Sequence, residues 1–462
     1  MVIKFLSIKK YSWFMIVLFL VLSFPIQVYT ASPLPSLIPY LILSSLYVFI
    51  FLRNKKLSLN ILPLTKVSIF ILSYTIFLFL KIVFEFIFKG QSLENLFTNL
   101  LTYLFPVLFF FYFRKKSSEI EIKWFFYAMI TASILCGIFF SYDSYNKFAL
   151  RKTTNYANAS YEYSLKRSNQ TEEEANEARV RVGFKSFGLL ESHSVSGAWL
   201  LLGLFAFLTL VPQKNRRKRT FVILLFGSFL FIGLNFTSII VFIVTMLLFE
   251  LQLVSFFFGK IHKKLIFNVF IIFFLIFLIV SGLFLTLGSL MSTGMIDLIL
   301  VQLSFIFSSK NAEGSQIYIL LNKLSLFSDK LYDQPLLFIF GSVNEYGKGG
   351  DIGFFDSMIT FGLCFYFIVL FALFNIFRSS AYKVRKDIVD YKAFPYRNNI
   401  FQFMLFIITM VLLTDIHYSI WSAKSVLPII FFSLALYDRY GNINKNNIKI
   451  YNNINSLETT TF

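Results

Sequence analysis

Runs of about 20 apolar residues, separated by short polar connections, recur from one end of the chain to the other. That length matches what a helix needs to cross a ~30 Å hydrocarbon core. No segment shows the ~10-residue apolar–polar alternation of a membrane β-strand. The pattern predicts an all-α, polytopic membrane bundle of about twelve helices. Polar stretches break the rhythm at length in two places, Asp143–Lys185 and Gly288–Asp351.

The predicted spans are Tyr11–Thr30, Leu34–Leu52, Thr65–Phe88, Leu96–Phe113, Lys123–Tyr142, Gly188–Val211, Phe221–Phe236, Ser238–Phe258, Leu265–Leu287, Ile352–Phe377, Ile400–Asp415 and Ile420–Tyr437. Residues 1–440 then form one membrane domain, and 441–462 an Asn-rich disordered tail. No internal repeat is visible, which argues against a carrier built from inverted repeats. In the second long stretch Ile317, Leu320, Leu321, Leu324 and Phe327 share one helical face, so an amphipathic helix is expected there.

Composition agrees with a membrane protein: 57% of the 462 residues are hydrophobic and 20% aromatic. The formal net charge of +19 would suggest nucleic acid in a soluble protein. Here the basic residues cluster between spans, as Arg53/Lys55/Lys56, Arg114/Lys115/Lys116, Lys214/Arg216/Arg217/Lys218/Arg219 and Lys260/Lys263/Lys264. They alternate with loops lacking that excess, the distribution that marks the cytoplasmic side. It puts both termini in the cytoplasm and both long loops outside, and it argues against a nucleic-acid partner. The basic N-terminus and its apolar run read as a retained first span. Two cysteines, Cys136 and Cys364, each inside a predicted span, argue against a disulfide framework or a zinc site.

Candidate chemistry gathers at the mouths of spans. Arg179 and Arg181 end the first long loop, where guanidinium forks at headgroup depth suit a lipid phosphate or diphosphate. Alternatively they are interfacial anchors whose charge the acidic run Glu172/Glu173/Glu174/Glu177 offsets. Gly188-Leu189-Leu190-Glu191-Ser192-His193-Ser194 follows, with a carboxylate and an imidazole two residues apart in apolar surroundings. Such groups can take a proton from a sugar hydroxyl, or form a buried pair without chemistry. Lys81 and Glu85 are one helical turn apart and read as a structural pair. Asp415, His417 and Lys424 suggest another polar cluster on the outer side. No glycine-rich nucleotide loop, metal motif or Asp-x-Asp pair is present, so no cofactor is expected and a preactivated lipid donor is favoured over a sugar nucleotide.

Three stretches, in order, resemble the O-antigen polymerase (Wzy) family, which shares its architecture with O-antigen ligases. The first is Arg181-Val182-Gly183-Phe184 leading into Gly188–Ser194. The second is Asn235-Phe236-Thr237-Ser238 between two closely joined spans. The third is Phe340-Gly341-Ser342, then Asp351-Ile352-Gly353-Phe354-Phe355, then Gly362. The sequence departs from the family where relatives carry an arginine early in the second loop. Ser315-Gln316 stands there, and Lys310 or Lys323 would substitute. The resemblance implies metal-independent glycosyl transfer between undecaprenyl-diphosphate-linked oligosaccharides on the outer face of a bacterial inner membrane, in synthesis of lipopolysaccharide or another surface polysaccharide. Arg179, Arg181 and Lys310 would hold diphosphate, and Glu191, His193 or Asp351 would take the acceptor proton. A chain-length regulator is a candidate partner. Transfer of finished glycan by a ligase, and non-enzymatic flipping of a lipid-linked sugar, are the alternatives.

Overall fold

A computed structural model of the chain describes residues 2–30, 32, 34–54, 65–115, 118–148, 150, 152, 154–168, 188–190, 192–211, 215–233, 236–247, 332, 339–343, 353–386, 397–416 and 418–441. Helices dominate and no strand occurs among these residues. The predicted span Leu265–Leu287, the amphipathic segment of the second long loop and the tail lie outside the described residues.

Helices α1 (Val2–Thr30), α2 (Ile38–Asn54) and α3 (Lys66–Phe88) come first. Next are α4 (Leu93–Asn99), α5 (Val107–Lys115) and α6 (Glu119–Phe148). Then follow α7 (Asn155–Ser168), α8 (His193–Leu210), α9 (Arg216–Ile232) and α10 (Phe236–Thr245). The last four are α11 (Gly353–Phe361), α12 (Leu363–Lys386), α13 (Arg397–Thr414) and α14 (Leu427–Gly441). Five described segments are long and apolar enough to cross a membrane: Lys10–Thr30, Lys66–Phe88, Leu93–Arg114, Glu119–Asn146 and Leu363–Val384. Shorter apolar helices cover Leu34–Leu46, Ser194–Leu210 and Asn399–Thr414.

Local sequence sets several of these ends. Thr65 accepts the Ser68 N–H and opens α3. Ser118 and Glu121 bond reciprocally and open α6: the Glu121 carboxylate accepts the Ser118 N–H, and the Ser118 hydroxyl accepts the Glu121 N–H. Between α4 and α5 the chain passes through one wide π-helical turn, Leu100–Leu104, just ahead of Pro106. Pro428 sits in the first turn of α14, where its missing N–H is not needed.

The core is aromatic. Trp13, Phe113, Phe125 and Phe432 pack ring against ring at 4.3–5.5 Å between centroids, joining α1, α5, α6 and α14. Phe205 of α8 stacks on Phe406 of α13 at 4.7 Å. Small residues let α6 and α8 approach closely: Gly203 faces Ser133, whose hydroxyl donates to the Trp199 carbonyl at 2.6 Å.

Polar contacts sort the helix ends into two groups. At one end Asp438 pairs with Arg114 and accepts from Ser68, Arg219 donates to the Leu208 and Val211 carbonyls, and Asn399 donates to the Thr209 carbonyl. At the other, Ser144 donates to the Ile232 carbonyl, Tyr156 to the Leu189 carbonyl, and Gln27 to Ser36. Neighbouring helices thus alternate in direction. The basic residues Arg114, Arg216, Arg217, Lys218, Arg219, Lys383 and Arg439 all fall at the first end.

Three predicted spans are interrupted. The segment expected to start at Gly188 becomes helical only at His193, because Gly188 has φ +73° and turns the chain beneath Phe140 and Ser196. The span predicted over Ile352–Phe377 is split into α11 and α12 by Gly362, at φ +84°. The last span, expected from Ile420, is helical only from Leu427; a short 3-10 turn, Ile420–Ser422, precedes it.

Candidate functional site

The end of the bundle opposite the Arg114–Asp438 pair gathers these interruptions. An unwound chain inside an apolar bundle must find partners for the N–H and C=O groups it frees. At the α11–α12 break they come from distant residues. The Ile359 carbonyl accepts the Ser342 N–H at 2.6 Å, and the Thr360 carbonyl accepts the Lys81 ammonium. Gly362 keeps its own bond to the Met358 carbonyl at 2.8 Å. Lys81 therefore places a positive charge on the carbonyl end of α11, where the helix dipole favours a cation.

Glycine is required on both sides of this junction. Gly341 has φ +69°, and its Cα faces the Gly362 N–H, the Phe361 carbonyl carbon and the Lys81 ammonium. Gly362 in turn faces the Ile339 carbonyl oxygen and the backbone of Phe340 and Gly341. A side chain on either residue would push the two strands of backbone apart.

Along α3, Glu85 lies one turn beyond Lys81 and is 2% exposed. Its carboxylate accepts the Val343 N–H at 3.1 Å and the Gln91 amide at 3.3 Å. Lys89, another turn on, donates to the Ser342 hydroxyl at 3.2 Å. The i, i+4 spacing predicted a Lys81–Glu85 pair. The hydrogen bonds of these two residues anchor the helix break and Val343 to α3.

A second buried polar group lies at the junction of α11, α12 and the turn after α13. Asp415 is 3% exposed. Its carboxylate accepts the Ser357 hydroxyl at 3.0 Å on one oxygen and the Tyr366 hydroxyl on the other. Ser357 and Ser419 share a further hydrogen bond of 2.8 Å. Gly353 opens α11 directly against the backbone of Asp415, Tyr418 and Ser419, too close for a Cβ. Asp415 was legible as a candidate from its position at a span end. Ser357, Tyr366 and Ser419 were not, because they read as ordinary polar residues in apolar helices.

The entry to α8 is also well held. Ser192 accepts the Val195 N–H at 3.2 Å, and the Leu190 N–H donates to the Ser196 hydroxyl at 3.1 Å. Tyr156 of α7 donates to the Leu189 carbonyl at 2.8 Å. Because the end of α8 touches the start of α13, this entry and Asp415 lie at the same end of the bundle.

Of the residues singled out from the sequence, Arg179, Arg181, Glu191, Lys310, Asp351 and His417 lie outside the described residues, as does the side chain of His193. His193 opens α8, directly after the capping Ser192. Gly341 and Gly362, the two ends of the third stretch, are brought into backbone contact. No group of three or more His, Cys, Asp or Glu residues able to hold a metal occurs among the described residues. Comparisons with protein-family models, with curated proteins and with solved structures return no match to this chain.

Proposed function

We propose that the protein polymerises a bacterial surface polysaccharide, joining undecaprenyl-diphosphate-linked oligosaccharide repeat units by glycosyl transfer on the outer face of the cytoplasmic membrane. The observation that carries the reading is the meeting of Gly341 and Gly362. These residues bracket the third of the ordered stretches that resemble the polymerase family, and their contact gives that sequence pattern a physical reason. The all-helical fold with membrane-length segments is the setting such an enzyme needs. The basic residues at the opposite end favour a cytoplasmic location for that end, which turns the glycine junction outward.

In this reading the acceptor sugar hydroxyl attacks the anomeric carbon of the donor. The bond from that carbon to the diphosphate oxygen breaks as the new glycosidic bond forms. Arg179, Arg181 and Lys310 stabilise the charge that develops on the departing diphosphate. Glu191, His193 or Asp351 takes the proton of the attacking hydroxyl. The donor is already activated, so the protein's work is to position two lipid-linked glycans and stabilise a leaving group.

The test is genetic and chemical. In cells that depend on this protein for their surface polysaccharide, Arg181→Ala is expected to leave single repeat units on the carrier or on the terminal acceptor. Unchanged chain length in that variant removes Arg181 from the site. Transfer of glycan only to a terminal lipid or protein acceptor, with no elongation, would identify a ligase. Translocation without a new glycosidic bond would identify a flippase.

A further inference from the structure

Three residues of α3 fix how deep the segment 341–343 lies. Helix α3 is 23 residues long, roughly 34 Å, about the thickness of a hydrocarbon core. Its first turn sits with the Arg114–Asp438 pair, through Ser68. At its other end Lys81, Glu85 and Lys89 follow at one-turn steps. They hold the Thr360 carbonyl, the Val343 N–H and the Ser342 hydroxyl respectively. Lys81 and Lys89 are separated by roughly 12 Å along the helix axis. The Gly341–Gly362 junction therefore lies beside the last two turns of α3, at the boundary between acyl chains and headgroups.

Ile339 and Phe340 are helical, and the helix stops at Gly341, whose φ of +69° suits the position just past a helix end. Their backbone touches Gly362 at the start of α12, yet their side chains are 46% and 64% exposed. Exposed apolar side chains flank them on both sides: Phe84, Ile87 and Phe88 on α3, and Phe367 and Ile368 on α12. Phe77 of α3 stacks on Phe365 of α12 at 4.2 Å, so the two helices are neighbours. Both are of membrane-spanning length and composition. The sequence Leu336-Leu337-Phe338-Ile339-Phe340 is an unbroken apolar run, far too short to cross a bilayer.

We propose that Ile339 and Phe340 insert into the lipid leaflet at this end of the bundle, so that the close of the second long stretch is anchored to the bilayer. Their exposed surface continues the apolar flanks that α3 and α12 turn outward, and those flanks belong against acyl chains. An aromatic and an aliphatic side chain beside a lysine match the boundary of acyl chains and headgroups. Lys89, exposed at the end of α3, supplies that lysine, its ammonium bonded to Ser342, two residues beyond Phe340. The anchor and the three contacts from α3 hold the same short segment from two sides. The lipid contact does not depend on the proposed glycosyl transfer. Under that reading it keeps the second long stretch over the leaflet that holds the lipid-linked substrates.

The experiment uses the purified full-length protein in nanodiscs. Phe340→Cys, made together with Cys364→Ser, carries a small fluorophore at position 340. The wild-type protein labelled at Cys364, exposed at the start of α12, is the lipid-facing reference; Cys136 is buried and does not compete for label. Lipid bearing a nitroxide near the top of its acyl chain is expected to quench position 340 about as strongly as position 364. Aqueous iodide is expected to quench it several-fold less than it quenches the free dye. Where Phe340→Cys does not fold, Ile339→Cys in the same background is read in the same way. Quenching by iodide and not by nitroxide lipid overturns the proposal, because the segment then faces water. Quenching by neither also overturns it, because protein then covers the two side chains.

Discussion

At the scale of single residues, the polar groups divide by which end of the bundle they hold. Asp438 is the anchor of the basic end: it pairs with Arg114 and accepts from Ser68, and both members of the ion pair are largely buried. Asp438→Ala leaves a guanidinium among apolar helices without its partner, and is expected to cost about 3 kcal/mol or more. The double variant Arg114→Met, Asp438→Ala removes the stranded charge and should recover most of that loss. Thermal melting of both proteins checks the order. At the opposite end Lys81 is the corresponding anchor. Lys81→Met would leave the Thr360 carbonyl without its ammonium donor and lower stability by roughly 2 kcal/mol. A proteolysis site newly opened near residues 339–343 would locate the damage at the helix break; protection there equal to wild type would contradict the strapping role.

At the scale of elements, hydropathy located helices and missed where they break. The predicted span over Thr65–Phe88 nearly coincides with α3, because a mostly apolar run without glycine or proline, capped by Thr65, satisfies its backbone best as one helix. Ile420, Trp421 and Val426 are as apolar as any helical residue and are buried, yet they lie outside the α-helix, in a short 3-10 turn and the bend that follows it. Periodicity sees burial, and burial here does not require a helix. The donors that make the break at Gly362 tolerable, Ser342 and Lys81, are remote in sequence. Gly341 and Gly362 were visible as a motif, but their contact was not. The glycines give a paired prediction. Gly90 has φ +61° with open space where a side chain would go, so Gly90→Ala bears only the conformational cost, about 1 kcal/mol. Gly362→Ala has that cost and must also displace the Ile339–Gly341 backbone, so it is expected to lower the melting temperature much further. Equal melts for the two variants would mean that the backbone contact is not maintained.

At the scale of the whole molecule, the alternation of helix directions and the gathering of Arg114, Arg216, Arg217, Lys218, Arg219, Lys383 and Arg439 at one end define a chain with two unlike ends. The proposed orientation is testable without any assay of function. Reporter fusions after Lys115 and after Arg219 should read as cytoplasmic, and fusions within Asp143–Lys185 as external. The reverse result would place Arg179 and Arg181 away from an outward-facing lipid diphosphate and end the polymerase reading. The second half of the proposed machinery, the phosphate-gripping and proton-accepting side chains, was legible only as a sequence pattern. Arg179, Arg181, Lys310 and Asp351 lie in the polar stretches between spans, and Glu191 and His193 at the entry to one, where hydrophobic periodicity carries little information.

The most direct measurement is reconstitution of the purified protein with labelled undecaprenyl-diphosphate-linked repeat units as both donor and acceptor, with products resolved by size. A ladder of two, three and more repeat units, lost in Arg181→Ala, is the expected result. Persistence of single units with folded wild-type protein, under conditions where the same substrate is extended by cell membranes containing it, would contradict the assignment.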